Sequence, residues 1–168
     1  MARLFVAAWP SADVRAALAE LPAADEPGVR RVPPQNWHVT LRFVGDADSD
    51  HLIALLGRAH LPRAVARLGP AVDRLDARQV VVPVAGVDSL AATVRDATRE
   101  IGEIDRRPFR GHLTVARTKR GARTALVGVP FDTAFTVDEI AVVGSELTPA
   151  GAVYTTLATF PTVPTDAA

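Results

Sequence analysis

The stretch from Trp37 to Gly45 reads WHVTLRFVG, and its central pattern returns later in the chain as GHLTVAR, from Gly111 to Arg117. Each copy holds a histidine, an apolar residue and a threonine within a run of residues that favour β-structure. Residues two apart in a strand project from the same face, so each copy presents an imidazole beside a hydroxyl. Two such strands that face one cleft would form a paired-histidine acid/base site.

The paired residues are His38 with Thr40 and His112 with Thr114. Imidazole titrates near neutrality, with an ordinary pKa of about 6.5, so one histidine can give a proton while the other accepts one. Displacement at phosphorus requires this division between an acid and a base, together with donors that hold the non-bridging oxygens. The two threonine hydroxyls are placed to be those donors, and the scheme requires no metal.

Other residues near the motifs are candidates for substrate binding. By strict alternation Arg42 shares the face of the first motif, where it either reaches the phosphate or extends along the surface to solvent. Phe5 and Trp9 share a face of the opening strand and either stack on a base or pack in the core. Arg106 to Arg123 contains seven basic residues and no acidic one, which indicates either a nucleic-acid patch or a solvated face.

The composition describes one globular protein of 168 residues, 48% hydrophobic and 23% charged. The formal net charge is zero, so nucleic-acid binding would need a local patch. The chain has no cysteine, which excludes disulfides and thiolate chemistry and favours a cytoplasmic location. The apolar N-terminal stretch is too short to span a bilayer and lacks the pattern of a secretion signal, so no membrane association is expected.

The periodicity predicts strands and helices in two similar halves, each with one His-x-Thr strand. The predicted helices run from Ser11 to Leu21, from Ser49 to His60 and from a cap at Asp88 to Ile101. The predicted strands are Arg3–Trp9, Val29–Val32, Asn36–Gly45, Ala71–Leu75, Gln79–Val84, Gly111–Thr118, Phe131–Thr136, Glu139–Leu147 and Val153–Phe160. We therefore expect a single domain of two lobes over residues 1–163, followed by a frayed tail at 164–168.

Several segments together resemble the two-histidine (2H) phosphoesterase superfamily, in particular its RNA 2′,3′-cyclic phosphodiesterase branch, formerly described as bacterial 2′-5′ RNA ligases. The resemblance is carried by both motifs, the opening RLFVAAWP, the segment VPPQNWHVTLRFVG and the closing GSELTPAGAVYTTL. It extends over nearly the whole chain. The ordered combination of these segments is specific, whereas either motif alone would not be.

The resemblance implies an α+β fold of two pseudo-symmetric lobes, each an antiparallel sheet backed by helices, around a central cleft. It implies hydrolysis of a terminal 2′,3′-cyclic phosphate on RNA to a 2′-phosphomonoester, without metal or cofactor, and a weak reversible 2′-5′ joining activity. His38 and His112 would be the acid/base pair and Thr40 and Thr114 the phosphate donors. Arg117 matches a family arginine near the phosphate, although strict alternation places it on the face opposite His112.

Other functions remain open at this point. One is a phosphodiesterase for a smaller cyclic nucleotide or a 2′-5′ oligonucleotide, and another is a non-catalytic module that binds RNA ends. For catalysis we expect protonated His38 to serve as the acid for the ribose 3′ oxygen while neutral His112 activates water. The expected partners are RNA 3′ ends that bear a cyclic phosphate, with no membrane and no obligatory protein partner, and the protein is expected to act as a monomer.

Overall fold

The computed structural model describes residues 2–22 and 25–165. Within these ranges the chain forms three α-helices and ten β-strands. The helices are α1 (Ala12–Ala19), α2 (Ser49–Gly57) and α3 (Asp88–Ala97). The strands are β1 (Ala2–Ala8), β2 (Val29–Arg31), β3 (Val39–Ala47), β4 (Ala64–Leu68), β5 (Asp73–Arg74), β6 (Gln79–Ala85), β7 (His112–Thr118), β8 (Thr133–Val137), β9 (Glu139–Thr148) and β10 (Gly151–Pro161).

The strands form one antiparallel sheet in the order β10-β9-β1-β3-β7-β6-β4-β8, with β2 added beside β7 and β5 beside β6. The two motif strands, β3 and β7, lie in the middle of this order. They are joined by a single residue pair, Val39 with Leu113, so four strands on each side of this junction belong to separate lobes. The predicted α+β fold of two antiparallel lobes is confirmed.

The core lies between the sheet and the helices. Alternate residues of the central strands point toward the helices and are completely buried, as Leu4, Val6 and Val39 show. The helices contribute the apolar side of each amphipathic face to the same core, namely Val14, Leu18, Leu52, Leu56, Leu90 and Val94. Each such side chain contributes about 1.5–3 kcal/mol on burial, so this core holds the two motif strands in place.

A smaller apolar cluster covers the opposite face of the sheet. It consists of Phe5 and Ala7 from β1 with Ala141 and Val143 from β9. These residues alternate with the core residues of the same strands, so they face the cleft instead of the helices. The floor of one lobe of the cleft is therefore apolar.

The first two helices begin where the sequence predicts. The Ser11 hydroxyl caps α1 by accepting a hydrogen bond from the backbone N–H of Val14 at 3.4 Å, and the Asp48 carboxylate caps α2. The predicted cap at Asp88 is wrong, because Asp88 is already the first residue of α3 and Val87 precedes it without a side-chain cap. A carboxylate in the first turn still interacts favourably with the helix dipole.

The remaining differences from the predicted elements are small. Strand β4 was not predicted, because its sequence AVARL has few β-branched residues, and it becomes a strand by pairing with β8 and β6. Of the predicted tail, Pro164 and Thr165 have no regular structure and residues 166–168 lie outside the described residues. The single domain over residues 1–163 stays a prediction. None of the helices described is long and apolar enough to cross a membrane.

Candidate active site

The single residue pair between β3 and β7 positions both motifs. Val39 and Leu113 are paired in antiparallel register, and both side chains are completely buried in the core. In each motif these apolar residues stand between the histidine and the threonine. Because neighbouring side chains of a strand point to opposite faces, the histidines and threonines of both motifs face the cleft.

The antiparallel register also fixes which motif residues are neighbours. Continued by one residue from the central pair, it places His38 opposite Thr114 and Thr40 opposite His112. On a ladder continued in this way the two histidines would occupy diagonal positions, which in paired strands lie about 7–8 Å apart. This spacing leaves room for one phosphate group between the two imidazole rings.

Both imidazole rings are anchored in the same way. Nδ1 of His38 lies 2.7 Å from the carbonyl oxygen of Asn36, and Nδ1 of His112 lies 2.7 Å from that of Arg110. A carbonyl only accepts, so each Nδ1–H donates and each neutral ring carries its free lone pair on Nε2. The Thr40 hydroxyl lies 3.0 Å from Nε2 of His38. Each ring therefore has Nε2 available for proton transfer.

The pKa of His38 is lowered from its ordinary value. Burial is the main cause, and the positive charges of His112 and Arg117 act in the same direction, while the hydrogen bond to Asn36 opposes them. The pKa of a free histidine is about 6.5. Burial and the nearby positive charges therefore favour the neutral form of the His38 ring.

Burial also lowers the pKa of His112, assisted by the charges of Arg110 and Arg117. The hydrogen bond to the Arg110 carbonyl and the carboxylate of Asp76 oppose this shift. Asp76 acts on His112 and does not act on His38, so the two rings differ in their electrostatic surroundings. A bound phosphate anion would stabilise an imidazolium at either ring.

Each motif strand has a β-bulge directly after its threonine. In β3, Arg42 pairs with Val6 and Thr40 pairs with Ala7, which leaves Leu41 as an extra residue. In β7 the pairs to β6 skip Val115 in the same way. A bulge of this kind reverses the alternation of the residues that follow it. The two bulges decide which residue after each motif enters the cleft.

The bulge at Val115 turns Arg117 toward the cleft. Arg117 pairs with Gln79 of β6, and Gln79 accepts a hydrogen bond from the Thr114 hydroxyl at 3.2 Å. Arg117 and Thr114 therefore share one face, which removes the conflict that strict alternation predicts. The positive charge of Arg117 lowers the pKa of both histidines, which agrees with a position beside both rings.

The bulge at Leu41 turns Arg42 away from the cleft, so its predicted position on the face of His38 is wrong. Arg42 is buried and its guanidinium donates to the carbonyls of Thr98, Ile101 and Glu103 and to the Thr98 hydroxyl, at 2.5–2.9 Å. These groups lie at and beyond the C-terminal end of α3. Arg42 holds the end of this helix on the sheet and is not a candidate phosphate ligand.

Aromatic side chains surround the ring of His38. The Phe5 ring centroid lies 4.8 Å from that of His38, and those of Tyr154 and Trp9 lie at 5.4 and 5.9 Å. Phe5 is only 5% exposed and its ring packs against the imidazole of His38, which favours the packing alternative, while its stacking on a base stays a prediction. Trp9 and Tyr154 are half-buried and face the cleft.

Several residues of the site have no local sequence signal. Tyr154 reaches His38 only because β10 pairs with β9 and β9 with β1. The Asn36 side chain holds β10 in place by donating to the Ala152 carbonyl at 3.0 Å. Gly111 precedes the second motif because a β-carbon there would overlap the carbonyl oxygen of Val84.

The cleft continues past His112 into a groove of about 1330 Å³, bounded by α3, by residues 103–110 and by the turn before β6. In the part of the chain that the structure describes, no group of three or more histidine or acidic side chains is arranged to hold a metal ion. The polar groups that converge on the cleft are imidazoles, hydroxyls and guanidinium groups, which suit an anion.

Comparisons with known proteins agree with this geometry. A model of the LigT-like phosphoesterase family matches residues 7–75. An RNA 2′,3′-cyclic phosphodiesterase of Thermus thermophilus is 33% identical over 180 residues, covering 94% of this chain and 89% of the relative. A second protein of that name, from Geobacillus stearothermophilus, is 32% identical over 149 residues, covering 77% of this chain and 46% of its own.

Solved structures share the whole fold. The crystal structure of E. coli LigT complexed with 3′-AMP has a TM-score of 0.78 at 27% identity, covering 96% of this chain and 98% of the other. The crystal structure of TT0787 of Thermus thermophilus has a TM-score of 0.72 at 32% identity, covering 95% and 97%. Two lobes joined at a pair of His-x-Thr strands define a two-histidine phosphoesterase. The chain belongs to the LigT-like phosphoesterase family.

Proposed function

We propose that this protein hydrolyses the 2′,3′-cyclic phosphate at the 3′ end of RNA to a 2′-phosphomonoester. The main support for this proposal is that the two imidazoles are anchored in the same way through Nδ1 and present Nε2 to one cleft. The two curated relatives that carry the name RNA 2′,3′-cyclic phosphodiesterase support the choice of substrate. Neither a metal nor a cofactor is part of the proposed reaction.

In the proposed reaction, the oxygen of a water molecule attacks phosphorus and the bond from phosphorus to the ribose 3′ oxygen breaks. Nε2 of His112 takes the proton from the water, and Nε2 of His38 gives its proton to the departing 3′ oxygen. The products are a 2′-phosphomonoester and a free 3′ hydroxyl. A 5′ hydroxyl in place of water would give the weak reverse joining of 2′-5′ linkages.

The remaining polar residues would stabilise the phosphate. The hydroxyls of Thr40 and Thr114 and the guanidinium of Arg117 would donate to the non-bridging oxygens. The anionic phosphate would also raise the pKa of His38, which burial lowers. Binding of the substrate would thereby favour the protonated form of His38, which the reaction needs as its acid.

We also propose that the protein works in the cytoplasm, as a monomer, on RNA 3′ ends and without an obligatory protein partner. The absence of cysteine supports a reducing compartment. Size-exclusion chromatography with light scattering would test the monomer, which has a mass of 17.8 kDa.

The test of the proposed activity uses a short RNA that ends in a 2′,3′-cyclic phosphate, with the product separated by chromatography. We expect the wild-type protein to form the 2′-phosphomonoester in the presence of a chelator. His38→Ala and His112→Ala should each lose about 10²–10⁴-fold in turnover. The matched control is His60→Ala, which removes an exposed histidine outside both motifs.

Binding of the cyclic-ended RNA without any product would contradict the proposal and favour a non-catalytic RNA-end module. Near-normal turnover by either histidine variant would show that the two rings do not form the catalytic pair. Equal turnover of 2′-5′ oligonucleotides without a cyclic end would indicate a different phosphodiester substrate.

A further inference from the structure

Strands β2 and β3 run along the same edge of β7. Arg30 of β2 pairs with Arg117 of β7. Further along the same edge of β7, β3 replaces β2 as the neighbouring strand, at the pair of Val39 with Leu113. Residues directly opposite each other in an antiparallel pair lie about 4.5–5.5 Å apart at their Cα atoms and project from the same face. Arg30 therefore stands beside Arg117 on the face that carries the motif residues.

Two like charges directly opposite each other destabilise a strand pair. Among the described residues, neither Arg30 nor Arg117 forms an ion pair with a carboxylate. Both side chains are exposed. An anion between the two guanidinium groups would turn this repulsion into two favourable charge-assisted contacts.

The Arg30 side chain lies close to the residues around His38. Its Nη2 donates to the carbonyl of Ala150 at 3.2 Å, in the turn before β10. Asn36, whose carbonyl anchors His38, holds the carbonyl of Ala152 in the same segment. Arg30 therefore contacts the turn between β9 and β10 in the lobe that carries His38, and a guanidinium has further N–H groups to offer a ligand.

The surrounding charges favour an anion that extends away from the histidines. Beyond Arg117 the chain continues through three more exposed basic residues, Lys119, Arg120 and Arg123. The pKa of the Asp76 carboxyl is lowered mainly by hydrogen bonds from the backbone and side chain of its own turn and also by the positive charge of Arg117. The positive side of the cleft thus lies along the end of β7.

We propose that Arg30 binds the internucleotide phosphodiester on the 5′ side of the terminal cyclic phosphate, so that the site prefers oligonucleotides to mononucleotides. The Arg117 guanidinium has enough N–H donors to contact this group as well as the terminal phosphate. This inference rests on the proposed function. It assigns Arg30 a role in substrate specificity, and Arg30 takes no part in the chemical step. The ligand group is a phosphodiester monoanion one nucleotide away from the reacting phosphorus.

The test compares three substrates of the wild-type protein. They are a nucleoside 2′,3′-cyclic phosphate, a dinucleotide with the same cyclic end, and that dinucleotide with a neutral methylphosphonate in place of the internucleotide phosphodiester. We expect the charged dinucleotide to exceed the other two in kcat/KM by about tenfold or more, through lost charge-assisted contacts in the others. This comparison needs no variant and so does not depend on folding of one.

The second part uses Arg30→Gln, with Arg31→Gln as the matched control on the same strand and the opposite face. Arg30→Gln should lose the preference for the charged dinucleotide and keep the wild-type kcat/KM on the mononucleotide. Arg31→Gln should keep the preference. Binding of the dinucleotide should also depend less on salt in Arg30→Gln. A plot of the logarithm of the binding constant against the logarithm of the salt concentration should become shallower by about 0.7, the value for one lost contact to a single strand.

Equal losses on mononucleotide and dinucleotide in Arg30→Gln would overturn the inference and assign Arg30 to positioning the Ala150 turn. No preference of the wild-type protein for the charged dinucleotide would overturn it as well, while turnover of the mononucleotide would leave the proposed function intact. Absence of turnover on all three substrates would instead contradict the proposed function.

Discussion

The two motif strands are alike in their first half and different in their second. Each motif has a histidine anchored through Nδ1 to the carbonyl two residues before it, and each strand has a β-bulge directly after the threonine. After the bulge, β3 places Arg42 toward the helices and Phe43 toward the cleft. At the corresponding positions β7 places Ala116 in the core and Arg117 toward the cleft.

Because of this difference, the two motif strands present different side chains to the cleft. In β7 the cleft-facing residue is a cation beside both imidazoles. In β3 the corresponding Phe43 is 41% exposed and lies against Arg3, with the Arg3 guanidinium carbon 5.4 Å from the ring centroid. Arg42, the arginine of β3, lies on the helix side of the sheet and has a structural role at the end of α3. The two motifs anchor their histidines alike, whereas the arginine that would hold phosphate comes from β7 alone.

The largest effect should separate the two histidines by role. With a substrate whose bridging 3′ oxygen is replaced by sulfur, the leaving thiolate needs little protonation, since a thiol has a pKa of about 8.5. His38→Ala should recover most of its loss of about 10²–10⁴-fold on this substrate, and His112→Ala should not. Single-turnover rates on the oxygen and sulfur substrates measure this. Recovery of His112→Ala alone would reverse the assignment of acid and base.

The next effect concerns stability and compares the two arginines. Arg42→Met should lower the free energy of unfolding by about 3 kcal/mol or more, because the carbonyls at the end of α3 lose their buried donor. Arg117→Met should change it by less than about 0.5 kcal/mol, because Arg117 is exposed. Urea unfolding measures both. A large loss for Arg117→Met would show that the arginine of β7 is structural as well.

A smaller effect concerns the pH dependence of kcat/KM. Arg117→Gln removes a positive charge that disfavours both imidazolium ions, so the pKa values of His38 and His112 should rise and the profile should move to higher pH. We expect kcat/KM at its optimum to fall about tenfold through loss of a phosphate donor. Asp76→Asn should lower the pKa of His112 and leave that of His38 unchanged. A profile that does not move in Arg117→Gln would place this arginine away from the rings.

The smallest effect tests the support of the His38 ring. Phe5→Leu removes an aromatic contact worth about 0.5–1.5 kcal/mol, so kcat should fall a few-fold while KM on a cyclic-ended dinucleotide stays the same. Steady-state kinetics at the pH optimum measure the two constants separately. A raised KM with unchanged kcat would indicate instead that Phe5 stacks on a base of the substrate.

Alternation in the two His-x-Thr stretches was enough to predict the four motif residues on one face of two central strands. Alternation fails from the second residue after each threonine, because a bulge depends on the partner strand and no residue type in LRF or VAR indicates it. For this reason Arg42 was placed on the wrong face and Arg117 raised a conflict. Alternation places Phe5 and Trp9 on one face of the first strand, but it cannot show the burial of Phe5, which packs against Tyr154 from the far end of the chain.

The central claim is that His38 and His112 act as one unit on a single phosphorus atom. The direct test measures kcat/KM of the double variant His38→Ala/His112→Ala beside both single variants on the same cyclic-ended RNA. The losses in rate caused by removing two groups that act in one transition state are strongly non-additive. The kcat/KM of the double variant should therefore lie within about tenfold of that of the less active single variant. Losses that multiply across the two substitutions would contradict the claim.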